Sequence, residues 1–124
     1  ELCAQDDDMA ELLLRVINSD CLIFGSPVYM GQVTGPAKTF LDRFYAFSTK
    51  GFGVRYLEGK KLITVITCGA PAEKYKSVEE YLHRWLGEFY KMELVGSVMA
   101  GELSGGTDLS RKILNRASEI GQSL

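Results

Sequence analysis

Apolar side chains at Met9, Leu12, Leu13, Val16 and Ile17 recur at the i, i+3, i+4, i+7, i+8 spacing that lays one apolar stripe along an α-helix. Asp6, Asp7 and Asp8 fall in its first turn, where carboxylates cap orphan N–H groups and favour the helix dipole. They read as a cap rather than a cation site. Asn18-Ser19-Asp20 ends the helix, and the short apolar run at residues 21–24 reads as a strand covered on both faces. Residues 25–34 read as a loop. Pro36 after Gly35 opens a second helix, whose apolar face is Ala37, Phe40, Leu41, Phe44 and Tyr45. Residues 48–61, with Gly51, Gly53 and Gly59, read as a mobile connection.

Residues 62–67 (Leu-Ile-Thr-Val-Ile-Thr) form the clearest strand, rich in β-branched side chains. Ser77 with Glu80 has the capping-box spacing, and Val78, Tyr81, Leu82, Trp85, Leu86, Phe89 and Tyr90 mark a long buried helix face behind it. Residues 95–100 give a weaker strand. Residues 101–106 then turn into a last helix from about Thr107, with Leu109, Ile113, Ala117 and Ile120 inward.

Helix followed by three strand–helix units predicts an α/β fold, a parallel sheet with helices on both faces. Right-handed crossovers bring the strand C-termini to one edge, where open α/β sheets bind ligands. Three connections meet there: residues 26–34, 68–74 and 101–106. Three strands are few for such a sheet, and the first would be a bare apolar edge. The chain also starts on Glu1. A strand–helix–strand segment is therefore expected before Glu1.

Composition narrows the function classes. At 124 residues the chain is one domain, residues 1–124, large enough to fold without disulfides or metals. Its 14 basic residues are scattered among 16 acidic ones, which argues against a nucleic-acid partner. No apolar run approaches the ~20 residues that span a bilayer, and no signal peptide opens the chain, so a cytoplasmic location is expected. Cys3, Cys21 and Cys68 form no CxxC pair, and an odd number argues against a disulfide framework.

The most informative stretch leaves the first strand as Ser26-Pro27-Val28-Tyr29-Met30-Gly31. Pro27 removes a backbone donor, Tyr29 supplies a flat ring with a hydroxyl, and Gly31 lets a ligand approach the backbone. A flat heteroaromatic ligand needs such walls. A tight turn with Tyr29 packed on the next helix accounts for the same residues equally well. Elsewhere, Gly105-Gly106-Thr107 reads as a loop-to-helix turn and not a phosphate loop. His83, the sole histidine, reads as a surface or interface residue; Cys21 and Cys68 read as small apolar fillers. No metal site is expected.

The stretch Phe24-Gly25-Ser26-Pro27-Val28-Tyr29-Met30-Gly31, continuing through Val33-Thr34-Gly35-Pro36-Ala37-Lys38-Thr39-Phe40-Leu41-Asp42-Arg43-Phe44, closely resembles the flavodoxin-like NAD(P)H-dependent FMN reductases, including the iron–sulfur flavoproteins. The resemblance reaches back to Cys3 and Asp7-Asp8-Met9 and forward to the C-terminus. It implies a flavodoxin-like three-layer sandwich lacking its first two strands. It implies FMN at the sheet's C-terminal edge, with NAD(P)H as donor and a quinone, flavin or other small molecule as acceptor. Ser26, Pro27, Val28, Tyr29, Met30 and Gly31 would line the isoalloxazine ring, with Thr67, Cys68 and Gly69 on its other side. The flavin carries the electron chemistry, so no catalytic side chain is named.

The family's FMN-phosphate loop lies in the segment expected before Glu1. Cys3 resembles the last member of the iron–sulfur proteins' cysteine cluster, but a cluster needs about four thiolates, so none is expected in this chain alone. The family's habit, together with the aromatic surface of Phe40, Phe44, Tyr45 and Phe47, predicts a homodimer or homotetramer. A flavodoxin-type electron carrier and a non-enzymatic assembly module are the alternatives.

Overall fold

Asp7 sits in extended backbone (φ −151°, ψ 176°) and accepts the Met9 N–H at 3.1 Å, which fixes the start of α1 (Asp8–Asn18). The same carboxylate receives both terminal nitrogens of Arg43, at 2.5 and 3.0 Å, joining the start of α1 to the end of α2 (Gly35–Arg43). These elements come from a computed structural model, which describes residues 4–102 and 107–124. Cys3, residues 103–106 of the expected turn and the side chain of Leu109 lie outside the described residues.

The Arg43 hydrogen bonds hold the Asp7 carboxyl below its ordinary value. A depressed carboxylate stabilises the fold above the unfolded-state value of about 3.9, and that contribution disappears as pH falls through the folded-state value. Asp7→Asn should therefore be less stable than the native protein in urea at pH 7. The two should converge when the melts are repeated in acid. A gap that persists in acid would remove the ion pair as its cause.

Four strands form one sheet in the order β2-β1-β3-β4: β1 (Cys21–Tyr29), β2 (Gln32–Val33), β3 (Lys61–Cys68) and β4 (Glu93–Gly101). β1, β3 and β4 are parallel; β2 is antiparallel, pairing Val28 with Val33 and Tyr29 with Gln32. The flavodoxin-like α/β expectation holds. The loop expected at residues 25–34 is instead strand, turn and strand. Gly-Ser-Pro reads as punctuation, yet proline is tolerated in a strand with a free edge, and β1 is such a strand. Among the described residues its outer edge is paired only at Val28 and Tyr29, and Ile23 beside it is 61% exposed. The bare apolar edge expected from sequence is present.

On one face, Leu22 and Phe24 of β1 and Leu62 and Ile66 of β3 pack with α1 (Leu13, Val16), with Phe44 and Phe47, and with α3 (Lys76–Leu82) and its extension. On the other, Ile63 and Val98 pack against Ile120 of α4 (Thr107–Gln122), which lies so close that a Cβ on Gly96 would sit 2.7 Å from the Ile120 side chain. Ala117, expected inward, is exposed; among the described side chains α4 packs on the sheet through Ile113 and Ile120.

The capping box at Ser77 and Glu80 does not form. Pro71 starts a 3-10 turn (Ala72–Tyr75) that already delivers helical backbone, so Ser77 falls inside α3. After Leu82 the helix widens into a π-helical stretch, His83–Phe89. Residues 48–61 are tied down rather than loose. Ser48 bridges to Val54, Arg55 donates twice to the Ala46 carbonyl, and Leu57 is buried. Among the described residues no helix is long and apolar enough to cross a membrane.

Candidate functional site

Parallel register builds the site. β1 pairs with β3 out to Pro27 beside Thr67, and β3 pairs with β4 out to Cys68 beside Gly101. The two stretches singled out from sequence, Ser26 to Gly31 and Thr67 to Gly69, therefore end side by side at the C-terminal edge of the sheet.

Beyond Pro27 the chain makes a two-residue hairpin. Met30 (φ 51°) and Gly31 (φ 79°) both adopt left-handed backbone, the geometry of a type I′ turn whose twist matches the flanking strands. Asn-Gly is the favoured pair there; a left-handed methionine costs about 1–2 kcal/mol. Met30 is nonetheless fully exposed, and Tyr29 beside it is 66% exposed. Strain and apolar exposure coincide at this hairpin tip, as they also do at Phe52 (φ 62°, 86% exposed) in the connection after α2. Such outliers gather at ligand clamps. The tight turn is present, while Tyr29 is not among the hydrophobic side chains packed on the core.

Ser26 turns its hydroxyl inward. It is buried, its Oγ donates to the Pro27 carbonyl at 2.8 Å and accepts the Thr34 N–H at 3.1 Å. Its hydroxyl pins the hairpin to the start of α2, where Thr34 Oγ1 in turn accepts the Ala37 N–H. Ser26 is thus a strut behind the tip formed by Tyr29, Met30 and Gly31, with Pro27 and Val28 half-buried between.

Across the gap, Thr67 and Gly69 are exposed and Cys68 is half-buried, its Sγ donating to the Ala70 carbonyl at 3.3 Å. The turn after Cys68 closes tightly on β4. A Cβ on Gly101 would lie 2.5 Å from the Ala70 oxygen, 2.7 Å from the Ala72 nitrogen and 3.1 Å from Cys68 Sγ. Gly101 belongs to the site's architecture and was not singled out from sequence, because only the fold shows what faces it. His83, expected at the surface or an interface, is half-buried against the sheet, with its Nε2 3.0 Å from Thr64 Oγ1. Among the described residues no group of three His, Cys, Asp or Glu side chains is placed to hold a metal ion.

The edge offers an exposed aromatic ring, a backbone turn without obstructing side-chain bulk at Gly31, and exposed backbone at Gly69. That suits one face and the polar rim of a flat heterocycle.

Residues 1–104 match the family described as NADPH-dependent FMN reductase. An iron–sulfur flavoprotein of Archaeoglobus fulgidus is 30% identical over 122 residues, 98% of this chain and 52% of that protein. An iron–sulfur flavoprotein of Methanocaldococcus jannaschii is 46% identical over 50 residues, 40% of this chain and 25% of that protein. The chain thus spans about half the length of the first of these relatives. Among solved structures, an NADH:FMN oxidoreductase superposes with a TM-score of 0.66 at 22% identity, covering 99% of this chain and 63% of that one. An FMN-dependent NADH-azoreductase from Bacillus anthracis, in complex with FMN, gives 0.68 at 16% identity, covering 93% and 59%.

Proposed function

Because the chain belongs to the NADPH-dependent FMN reductase family, we propose that it is the ring-binding part of an FMN-dependent oxidoreductase that takes electrons from NAD(P)H and passes them to a small-molecule acceptor. The observation that carries this reading is the strained, exposed hairpin tip at Tyr29, Met30 and Gly31, held beside Thr67, Cys68 and Gly69 at the sheet's C-terminal edge. FMN supplies the hydride and electron chemistry. The chain's own work is to bind and orient. Tyr29 gives the ring a face, and Met30 covers apolar surface and keeps water from it. Backbone N–H groups around Gly31 and Gly69 meet its polar rim, while Ser26 and Gly101 hold the two walls at a fixed spacing.

Tyr29→Ala should weaken flavin binding by about 1–2 kcal/mol, the scale of an aromatic contact, or roughly 5- to 30-fold in Kd. Leu114→Ala, exposed on α4, should leave it unchanged. Flavin-fluorescence titration reads both, and equal effects would mean that the ring lies elsewhere. Anaerobic bleaching of bound flavin by NAD(P)H distinguishes the reductase from a simple electron carrier, and a protein that takes up no flavin at all would be neither.

We further propose a homodimer or homotetramer. The reason differs from the one expected, since Phe44 and Phe47 are consumed by the chain's own core. Support comes from Tyr45, Phe52 and Trp85, exposed around a cavity of about 460 Å³ beside α3's extension. Light scattering on the protein should give at least twice the monomer mass; a monomer would end this reading.

A further inference from the structure

The connection from α2 to β3 begins with a second strained tip. Ser48 bridges to Val54, and the Thr49 N–H donates to the Gly53 carbonyl at 2.8 Å, which closes a tight loop over residues 50–52. Gly51 (φ 80°) and Phe52 (φ 62°) both take left-handed backbone. Glycine and asparagine accept that region, whereas a bulky ring is an outlier there. Phe52 nonetheless holds it, with its side chain 86% exposed. Beside it opens the cavity of about 460 Å³, walled by Tyr45, Trp85, Phe89 and Tyr90. An apolar cavity of about 150 Å³ already takes up a benzene ring. A projecting ring and a socket large enough for one therefore lie side by side on one surface.

We propose that two copies of the chain meet here across a two-fold axis, each seating its Phe52 ring among the aromatic side chains of the other's cavity. The proposal rests on the homo-oligomer reading above and names the surface and the side chain that make it. A two-fold contact uses the same patch twice, so projection and socket must share that patch, as they do here. An unrelated partner would call for only one of the two.

Area and charge fit a second copy as well. Tyr45, Phe52 and Trp85 are 81, 86 and 44% exposed. At about 150–250 Å² per aromatic side chain they offer roughly 300–500 Å² on each copy. That matches the largest apolar patch of a typical monomer, and is about half of the ~800 Å² each partner gives to a standard interface. The rim is exposed and carries both signs, Lys50 on the loop and Arg84 and Glu88 along α3's extension. Among the described residues none of these three is in an ion pair. The exchange carries Lys50, next to the tip, toward the helix flank that holds Glu88; a rim of one sign would repel its own copy. Both candidate flavin edges stay open. α2 starts at the Met30-Gly31 hairpin and runs nine residues, about 13 Å, so Tyr45 and the loop lie beyond its far end.

Trp85 is the chain's one tryptophan, so its indole signals need no assignment. Isotope-filtered NMR on labelled and unlabelled chains refolded together should show Trp85 of one copy in contact with the partner's Phe52. Phe52→Asn supplies a residue that accepts left-handed backbone, so the loop keeps its shape. In that variant the contact should be absent. Two phenyl rings leave each interface, so its dissociation constant, read by light scattering on dilution, should rise roughly 100-fold or more. An oligomer with no contact between Trp85 and Phe52 of different copies overturns the exchange and leaves the homo-oligomer standing. A rise of less than about 10-fold in Phe52→Asn does the same. A native protein that is monomeric ends both.

Discussion

Phe44→Ala should cost about 3–5 kcal/mol, the range for emptying a fully buried phenylalanine site. Its ring meets Phe40, Phe47 and Tyr90 in edge-to-face contacts with centroids 5.0, 5.2 and 5.9 Å apart, and none of it reaches solvent. Three elements converge there: α2, the turn after it and the end of α3's extension. Against a typical total stability of about 5–15 kcal/mol, the variant should be partly unfolded at room temperature or melt far lower. Tyr45→Ala, one residue away but exposed, should change the stability of the dissociated monomer by no more than about 0.5 kcal/mol. Urea melts of the pair provide the check. A Phe44→Ala loss below about 1 kcal/mol would mean that the aromatic core is not where these contacts put it.

That contrast also marks what the sequence could disclose. The amphipathic spacing named Phe44 and Tyr45 together as one helix face, because periodicity resolves a stripe and not the depth of each position in it. The parallel run of β1, β3 and β4 followed from the alternation of strand and helix, and the turn residues at the strand ends pointed to the candidate edge. The hairpin at Met30-Gly31 had a local signal, two residues between Val-Tyr and Gln-Val. It was obscured by Pro27, which argues against a strand unless the strand is known to be an edge. The partners of Gly101, Thr64 and His83 are separated from them by many residues and could only be seen once the sheet was assembled.

The polypeptide of these 124 residues should bind FMN and riboflavin about equally, and both weakly. The walls at Tyr29 and Thr67 address the ring, which the two ligands share. The N-terminus of α2, the helix end adjoining the hairpin, is already capped by Thr34. A phosphate held by several backbone donors gains charge-assisted hydrogen bonds of roughly 1.5–3 kcal/mol each. Two or three of them amount to about three orders of magnitude or more in Kd. A longer polypeptide that adds a strand to β1's free edge and a phosphate loop should therefore favour FMN over riboflavin by about that factor. Parallel titrations of both ligands against both polypeptides measure the ratio. Submicromolar FMN binding by the 124-residue chain would place the phosphate anchor among its own residues.

The parallel sheet has a consequence for the rate at which the molecule is made. Its strand pairs join Cys21 to Lys61 and Lys61 to Glu93, so no two neighbouring parallel strands meet until some 30 to 40 residues of intervening chain have been gathered in. Each such closure gives up chain entropy before any ladder repays it, which places the barrier late and the folding time toward the slow end for a domain of this size. During that interval β1, apolar and open along most of its outer edge, is a template for any extended segment nearby. Recovery of folded material should therefore fall as protein concentration rises during refolding, in a competition between closure within one chain and strand addition between two.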